Sequence, residues 1–148
     1  MGNFTVLSHT ADVGFRARGA SLSDLFETAA QAMFSIEYDT STVGFERELD
    51  VEATDYDLEG LLVAWLSELL WIHDARGFVA GDFMVVELGE PPDVRAGAPP
   101  LKVRGVARGR AMGDWFEQTG PQLKAVTLHG LQVLKRRGGY EATVYLDV

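Results

Sequence analysis

The acidic groups with the clearest capacity for chemistry lie near the two ends of this 148-residue chain. Asp12 stands in the polar stretch SHTAD, inside a run that otherwise alternates like a β-strand. Asp147 is the penultimate residue, so its carboxylate is next to the terminal carboxylate of Val148. If the first and last strands are neighbours in a sheet, three anionic groups meet at one place, and their mutual repulsion favours a bound cation or a proton.

An oxygen-only ligand set of this kind suits a hard divalent cation. Calcium tolerates irregular shells that include backbone carbonyls, whereas magnesium demands stricter geometry. The chain has no cysteine, and His9 is the only imidazole close to Asp12 in the sequence, so zinc fits less well. The alternative is that Asp147 is a solvated acid at a fraying chain end. The spacing alone leaves both interpretations open.

The rest of the sequence carries no recognisable catalytic motif. It contains no glycine-rich phosphate loop, no GxSxG turn and no HExxH helix. With 22 acidic and 13 basic residues the net charge is −9, which argues against tight non-specific binding of free RNA or DNA. The N-terminal residues lack the pattern of a signal peptide, and no apolar run is long enough to span a bilayer. We therefore expect a cytoplasmic protein with no membrane partner.

Hydrophobic periodicity predicts the elements that must position these groups. The first strand runs over residues 3–19, interrupted at SHTA, with Gly14 marking a bulge or a close backbone approach. Ser21 begins one amphipathic helix, and a second, strongly apolar helix ends near His73 with Gly77 as its breaker. Further strands are predicted at 45–53, with Phe45 facing inward, and at 78–88, 101–111, 123–133 (bulged at Gly130) and 140–148. Lys124 opens the fourth of these.

These elements predict an α+β fold. We expect a single layered domain over residues 1–148, made of mainly antiparallel sheet packed with two amphipathic helices. The proline-rich loop 89–100 is predicted to be irregular.

Two further groups of polar residues allow a functional interpretation beside a structural one. His73 precedes Asp74, which suggests acid–base chemistry, although the helix dipole also favours a histidine in a last turn. Seven basic residues form two clusters, interpreted either as an ordinary solvated face or as a surface for an RNA-bound partner. They are Lys102, Arg104, Arg108 and Arg110 on one strand, and Lys135, Arg136 and Arg137 at a turn.

Several segments together resemble the archease family, in the same order and over nearly the full length. They are SHTADVGFRARGASLSDLFETAAQAMF, then LLVAWLSELLWIHDARGFVAGDF and LKAVTLHGL, and a chain that ends in LDV. The resemblance implies a protein cofactor rather than a stand-alone enzyme. Archeases activate the RtcB-type RNA-splicing ligase, promote its guanylylation and allow multiple turnover in tRNA splicing or RNA repair. RNA would be reached only through the ligase.

The resemblance also implies roles for individual residues. The family's divalent-metal site, for calcium, magnesium or manganese, falls on Asp12, Asp147 and Val148. Ligase activation falls on Asp12, Asp147 and Lys124. The accessory candidates are His9, Thr10 and His129, and this sequence departs from the family by having Ser8 in place of a common acid and Leu128 in place of a common tyrosine.

Three other functions compete with this interpretation. The first is a chaperone-like modulator of tRNA-modifying enzymes such as a tRNA methyltransferase, which would work through surface contacts. The second is a small metal-dependent hydrolase, against which the lack of a clear general base counts. The third is a purely structural subunit.

Overall fold

The computed structural model describes residues 2–8, 12–89 and 100–148. Within these ranges the chain forms seven strands, two α-helices and a short 3₁₀ turn at Thr40–Thr42. In chain order the strands and α-helices are β1 (Asn3–Ser8), β2 (Asp12–Gly19), α1 (Leu22–Ser35), β3 (Arg47–Asp55), α2 (Leu58–Arg76), β4 (Phe78–Leu88), β5 (Leu101–Ala111), β6 (Ala125–Arg136) and β7 (Gly139–Asp147).

The strands form two antiparallel sheets. The four-stranded sheet has the order β1-β2-β7-β6, and the three-stranded sheet has the order β3-β5-β4. Both helices contact strands of both sheets, so apolar side chains are buried on several sides of each helix. The largest fully buried side chains include Trp65 of α2, Phe26 of α1, and Phe15 and Leu146 of the four-stranded sheet. The predicted α+β fold class is confirmed.

Capping residues set the bounds of the helices, and the sequence predicted two of them, Ser21 and Gly77. The Ser21 hydroxyl accepts the Asp24 N–H at the start of α1, and the Asp57 carboxylate accepts the Gly60 N–H at the start of α2. Gly77 ends α2 with φ of +60°, a left-handed conformation that glycine adopts without steric cost. In the described part of the chain no helix is long and apolar enough to cross a membrane.

The prediction of one interrupted strand over residues 3–19 is wrong. β1 and β2 are separate strands of an antiparallel pair, with an unbroken register from Asn3 opposite Arg18 to Ser8 opposite Val13. Asp12 therefore begins a strand instead of interrupting one. No bulge occurs at Gly14 in this pair, so the close approach of another group, described below, explains that glycine.

The prediction for β3 needs a correction at its start. Phe45 was expected to face inward, but the strand begins at Arg47 and the Phe45 side chain is 61% exposed. Its ring lies 5.6 Å from the Arg108 guanidinium, an arrangement that allows a cation–π contact. The aromatic ring therefore covers a charged side chain of β5 rather than filling the core.

The strands β4 and β5 have the predicted bounds, and residues 90–99 of the loop between them lie outside the described residues. β6 begins at Ala125 and carries the predicted bulge. Its register with β7 jumps after Thr127, and Gly130 adopts φ of +70°. The bulge moves three extra residues of β6 out of the ladder beside β7.

Candidate functional site

The start of β2 and the end of β7 lie side by side in the four-stranded sheet. Asp12, the first residue of β2, is the direct partner of Asp147, the last residue of β7. Directly opposed residues of an antiparallel pair project to the same face of the sheet, with Cβ atoms about 5 Å apart. The predicted approach of Asp12 to Asp147 is therefore confirmed. That these groups share a cation stays a prediction.

We call Asp12, Asp147 and Val148 the acidic tip. Asp147 is exposed and Asp12 is half-buried, while the Val148 side chain packs against the hydrophobic core. This packing holds the last residue in place, so it opposes fraying of the predicted terminal carboxylate. Among the described residues, no lysine, arginine or histidine lies within ion-pair distance of the tip.

The donor set of the acidic tip consists of oxygen atoms. Carboxylate oxygens are the type of donor that calcium and magnesium bind, and two carboxylates lie here on one face with no described counter-ion. In the described ranges, no group of three or more His, Cys, Asp or Glu side chains is placed so that it could hold a metal ion. Side chains alone therefore supply the pair Asp12 and Asp147, and the predicted third ligand is the Val148 carboxylate.

Lys124 lies next to the acidic tip, immediately before β6. Its backbone N–H donates to the Asp147 carbonyl oxygen at 2.9 Å, and the following Ala125 is the register partner of Asp147. The Lys124 side chain is exposed and pairs with no described carboxylate. The backbone therefore places an exposed lysine next in the sheet to the two carboxylates.

A buried ion pair fixes the segment that leads into Lys124. Glu37 follows α1, and its Oε1 atom accepts the Leu123 N–H at 2.9 Å while its Oε2 atom lies 2.6 Å from Nε2 of His73. The other ring nitrogen of His73, Nδ1, lies 3.2 Å from the Phe78 carbonyl oxygen. Because a carboxylate and a carbonyl only accept hydrogen bonds, an imidazolium with a hydrogen on both ring nitrogens satisfies both contacts of His73.

The surroundings of the pair support these charges. Burial alone would lower the pKa of His73, but the hydrogen bond and negative charge of Glu37 outweigh burial and raise that pKa. Burial also opposes ionisation of Glu37, yet the hydrogen bonds from His73 and Leu123 lower its pKa. The rings of Phe34 and Tyr38 lie 5.4 and 5.6 Å from the imidazole, within range of a cation–π attraction.

Of the two interpretations of His73, the structure favours the structural one over acid–base chemistry with Asp74. His73 is only 4% exposed, and its partner is Glu37, 36 positions earlier in the chain. Its place in the last turn of α2 also suits the helix dipole. The one available sequence signal was a lone acid in the apolar segment FSIEY, which periodicity does not link to a histidine on another helix.

The bulge in β6 shapes the surface beside the acidic tip. A Cβ atom on Gly130 would lie 2.9 Å from the Tyr145 ring, and one on Gly14 of β2 would lie 2.6 Å from it. Tyr145 therefore lies across two glycines, on the sheet face that also carries the tip. The close backbone approach predicted at Gly14 is also present, because the same Cβ would lie 2.9 Å from the Val144 carbonyl oxygen.

The accessory candidates fall in different places. His129 is exposed on the bulge next to Leu128, whose side chain is 71% exposed. No described contact joins His129 to the acidic tip. His9 and Thr10 lie outside the described residues.

Comparison with known proteins identifies the family. The sequence model of the archease protein family (MTH1598/TM1083) matches residues 4–148. The chain belongs to the archease family. Among curated archeases, the protein from Archaeoglobus fulgidus is 39% identical over 145 residues, which cover 98% of each chain. The archease from Methanothermobacter thermautotrophicus is 38% identical over 148 residues and covers both chains completely.

Two solved structures share the archease fold. The solution structure of Methanobacterium thermoautotrophicum protein 1598 is 37% identical, covers 98% of both chains and superimposes with a TM-score of 0.81. The crystal structure of an archease from Thermotoga maritima, described as a possible chaperone, covers 96% of this chain with a TM-score of 0.60. At 17% identity that second likeness concerns the fold alone.

Proposed function

We propose that this protein is a metal-binding activator of an RtcB-type RNA ligase and acts through its acidic tip. In this proposal the protein is not itself an enzyme. It promotes guanylylation of the ligase and its multiple turnover in RNA joining. The single observation that carries the proposal is the direct pairing of Asp12 with Asp147 at one end of the two central strands of the sheet, in a chain of the archease family.

The chemistry of the tip supports this role. Asp12, Asp147 and the Val148 carboxylate would hold one divalent cation, with calcium favoured because it accepts an irregular oxygen shell. A bound cation would supply positive charge that neutralises developing charge in phosphoryl transfer. Lys124 lies beside this site with an exposed ammonium group, which suits contact with a phosphate or carboxylate of the partner.

The protein's own framework supports positioning rather than catalysis. The backbone bond between Lys124 and Asp147 fixes the lysine relative to the tip. The hydrogen bond from Leu123 to buried Glu37 fixes the same segment from the core side. Charged groups that are held in fixed positions by backbone hydrogen bonds form a surface that can dock reproducibly into a partner's site.

The test is multiple-turnover RNA joining by the cognate ligase, with ligase guanylylation measured separately. Asp12→Asn and Asp147→Asn should each reduce stimulation at least about tenfold, because each removes a charge-bearing ligand. Asp50→Asn is the matched control, since Asp50 is an exposed acid on the edge strand β3 of the other sheet. Full stimulation by an Asp12→Asn protein with native melting would refute the proposal.

Cation binding is measured directly by calorimetric titration of the protein with calcium and with magnesium. The wild type and Asp50→Asn should bind one ion, and Asp12→Asn should lose it. Adding one glycine after Val148 converts its α-carboxylate into a peptide carbonyl, so it should weaken binding with both side-chain ligands intact. Equal affinity in that extended chain would exclude the terminal carboxylate as a ligand.

The second candidate is a chaperone-like modulator of a tRNA-modifying enzyme such as a tRNA methyltransferase. The structurally similar Thermotoga maritima protein is described as a possible chaperone, and this description supports the second candidate. A modulator that works through surface contacts should retain its effect after chelation of divalent ions. A ligase activator that depends on the tip should lose it.

A further inference from the structure

The end of the four-stranded sheet opposite the acidic tip carries a cluster of arginines. β2 extends from Asp12 to beyond Arg18, and six steps of about 3.3 Å separate these residues by about 20 Å. At the far end a cleft of 330 Å³ opens between the start of β1, the end of β2 and the turn from β6 to β7. Arg18, Arg136 and Arg137 line it, and no described aspartate or glutamate does. We call these three residues and their cavity the arginine cleft.

A single carboxylate organises the side chains around the arginine cleft. Glu141 is mostly buried, with 13% of its side chain exposed, and lies 2.9 Å from Nε of Arg18. It also lies 3.5 Å from Nη2 of Arg136 and 3.8 Å from Nε of Arg16. Arg137 forms no ion pair with a described residue. Three arginines therefore share one negative charge and Arg137 has no described acidic partner, which leaves a surplus of positive charge at the cleft.

The surplus stands out because the chain as a whole has a net charge of −9. The other basic cluster behaves differently: on β5 three of the four basic residues lie beside acids of the neighbouring strands, and the fourth, Arg110, lies over the Trp115 ring. The pairs are Lys102 with Glu52, Arg104 with Glu87, and Arg108 with Glu48 and Asp82. The β5 row is therefore a neutral, solvated face. The arginine cleft, in contrast, carries a net positive charge in a protein with more acidic than basic residues.

We propose that the arginine cleft binds the phosphate backbone of single-stranded RNA. Guanidinium groups form paired hydrogen bonds to phosphate oxygens, and Glu141 orders three of them in advance. Tyr140 also lines the cleft and offers a ring on which a base or ribose packs. Several single charges spread along a cleft match successive phosphates better than one small anion.

The position of the cleft links it to the proposed function, on which this inference rests. Arg16, Arg18 and Glu141 are on the same face of the sheet as Asp12 and Asp147, because they occupy alternate positions of the same two paired strands. An RNA strand that leaves a ligase active site docked at the acidic tip would cross this face to reach the cleft. Direct RNA contact goes beyond the expectation that RNA is met only through the ligase.

The direct test measures binding of a fluorescent decauridylate to the isolated protein by anisotropy, at several salt concentrations. The double variant Arg136→Gln/Arg137→Gln should bind about tenfold more weakly, since hydrogen bonds from charged groups are lost. The slope of log affinity against log salt should fall by about 1.4 for two lost phosphate contacts on a single strand. The control Lys102→Gln/Arg104→Gln makes the same change in net charge on the neutral β5 row and should bind like the wild type.

Two small probes identify the source of the phosphate. Inorganic phosphate and uridine monophosphate, titrated as competitors, should displace the decauridylate only at concentrations far above its own dissociation constant. If either competes as well as the oligonucleotide itself, the cleft is a small-anion site and the RNA proposal is overturned. The same conclusion follows if both double variants bind the decauridylate equally.

Ligase assays separate failure of this inference from failure of the proposed function. Guanylylation requires no RNA, so the Arg136→Gln/Arg137→Gln protein should stimulate it fully, while the RNA concentration for half-maximal joining should rise several-fold. Loss of guanylylation in this variant would instead make the cleft a contact for the ligase protein and overturn the RNA assignment. If the wild type stimulates no ligase, the proposed function fails, and the anisotropy experiment still decides whether the cleft binds RNA.

Discussion

The buried pair of Glu37 and His73 offers a quantitative test of how this fold is held together. In Glu37→Gln the side chain keeps its size but has one carbonyl oxygen for two donors, the His73 ring and the Leu123 N–H. One donor is left without an acceptor, or the ring gives up its proton. Breaking a buried pair in this way costs about 3 kcal/mol, the lower end of the usual range, because the histidine can become neutral.

That loss predicts a clear change in thermal stability. For a domain of this size each kcal/mol lowers the melting temperature by about 2–4 °C, so Glu37→Gln should melt about 6–12 °C below the wild type. Circular dichroism at near-neutral pH measures the difference. Glu46→Gln is the matched control, because Glu46 is exposed and its substitution should change stability by less than about 0.5 kcal/mol.

The stability that the ion pair contributes should depend on pH, in a direction set by the two pKa shifts. His73 has its pKa raised above 6.5, so its contribution is complete below that pH and is lost as the pH rises through the folded-state pKa. Glu37 has its pKa lowered below 4.5, so its contribution is present above that pH and is lost as the pH falls through the folded-state pKa. The pair is therefore intact in the window between the two folded-state pKa values.

The variant should reverse the slope near neutral pH. Without the carboxylate, burial of the His73 ring dominates and lowers its pKa, so the unfolded chain binds more protons and stability rises with pH. The wild type should instead be level or decline as the pH rises above about 6.5. An unchanged slope in Glu37→Gln, together with a melting temperature within about 2 °C of the wild type, would refute the ion-pair assignment.

Two further predictions concern the local devices that shape the fold, and urea unfolding measures both. Asp57→Ala should cost about 1 kcal/mol, because it removes the acceptor at the start of α2, while Asp57→Asn keeps an acceptor and should stay close to the wild type. Gly130→Ala should cost more than Gly138→Ala: both positions have positive φ, but only the Cβ at Gly130 would meet the Tyr145 ring. Equal losses for the two glycine variants would contradict the packing of that ring.

The sequence predicted correctly those helices and strands whose ends are marked by a capping residue, a glycine or a proline. The cap at Ser21 and the glycine at position 77 marked helix ends, because capping and positive φ demand particular residue types. The strands on either side of the proline-rich loop followed from the same logic, since proline and glycine interrupt a ladder. Here sequence and structure agree to the residue.

The wrong predictions concern features for which the neighbouring residues in the sequence give no signal. The segment between β1 and β2 has no glycine, proline or asparagine, the residues that usually mark a turn. The sequence therefore did not indicate that β1 and β2 are two antiparallel strands. Phe45 fitted the alternation of β3 by type, but its environment depended on Arg108 of another strand. The partnership of Glu37 with His73 joins the end of one helix to the end of another, and hydrophobic periodicity carries no information about such a pair.

The candidate site combines both kinds of information. The alternation of β2 and β7 predicted their faces, but only the sheet order, with β7 between β2 and β6, places Asp12 opposite Asp147 and beside Lys124. Lys124 follows Leu123, whose N–H donates to Glu37, and Glu37 in turn pairs with His73. The position of Lys124 therefore depends on the buried ion pair. It follows that Glu37→Gln should displace Lys124 and reduce ligase stimulation while leaving the carboxylates of the acidic tip able to bind a cation. Loss of cation binding in that variant would mean that the tip itself depends on the buried pair.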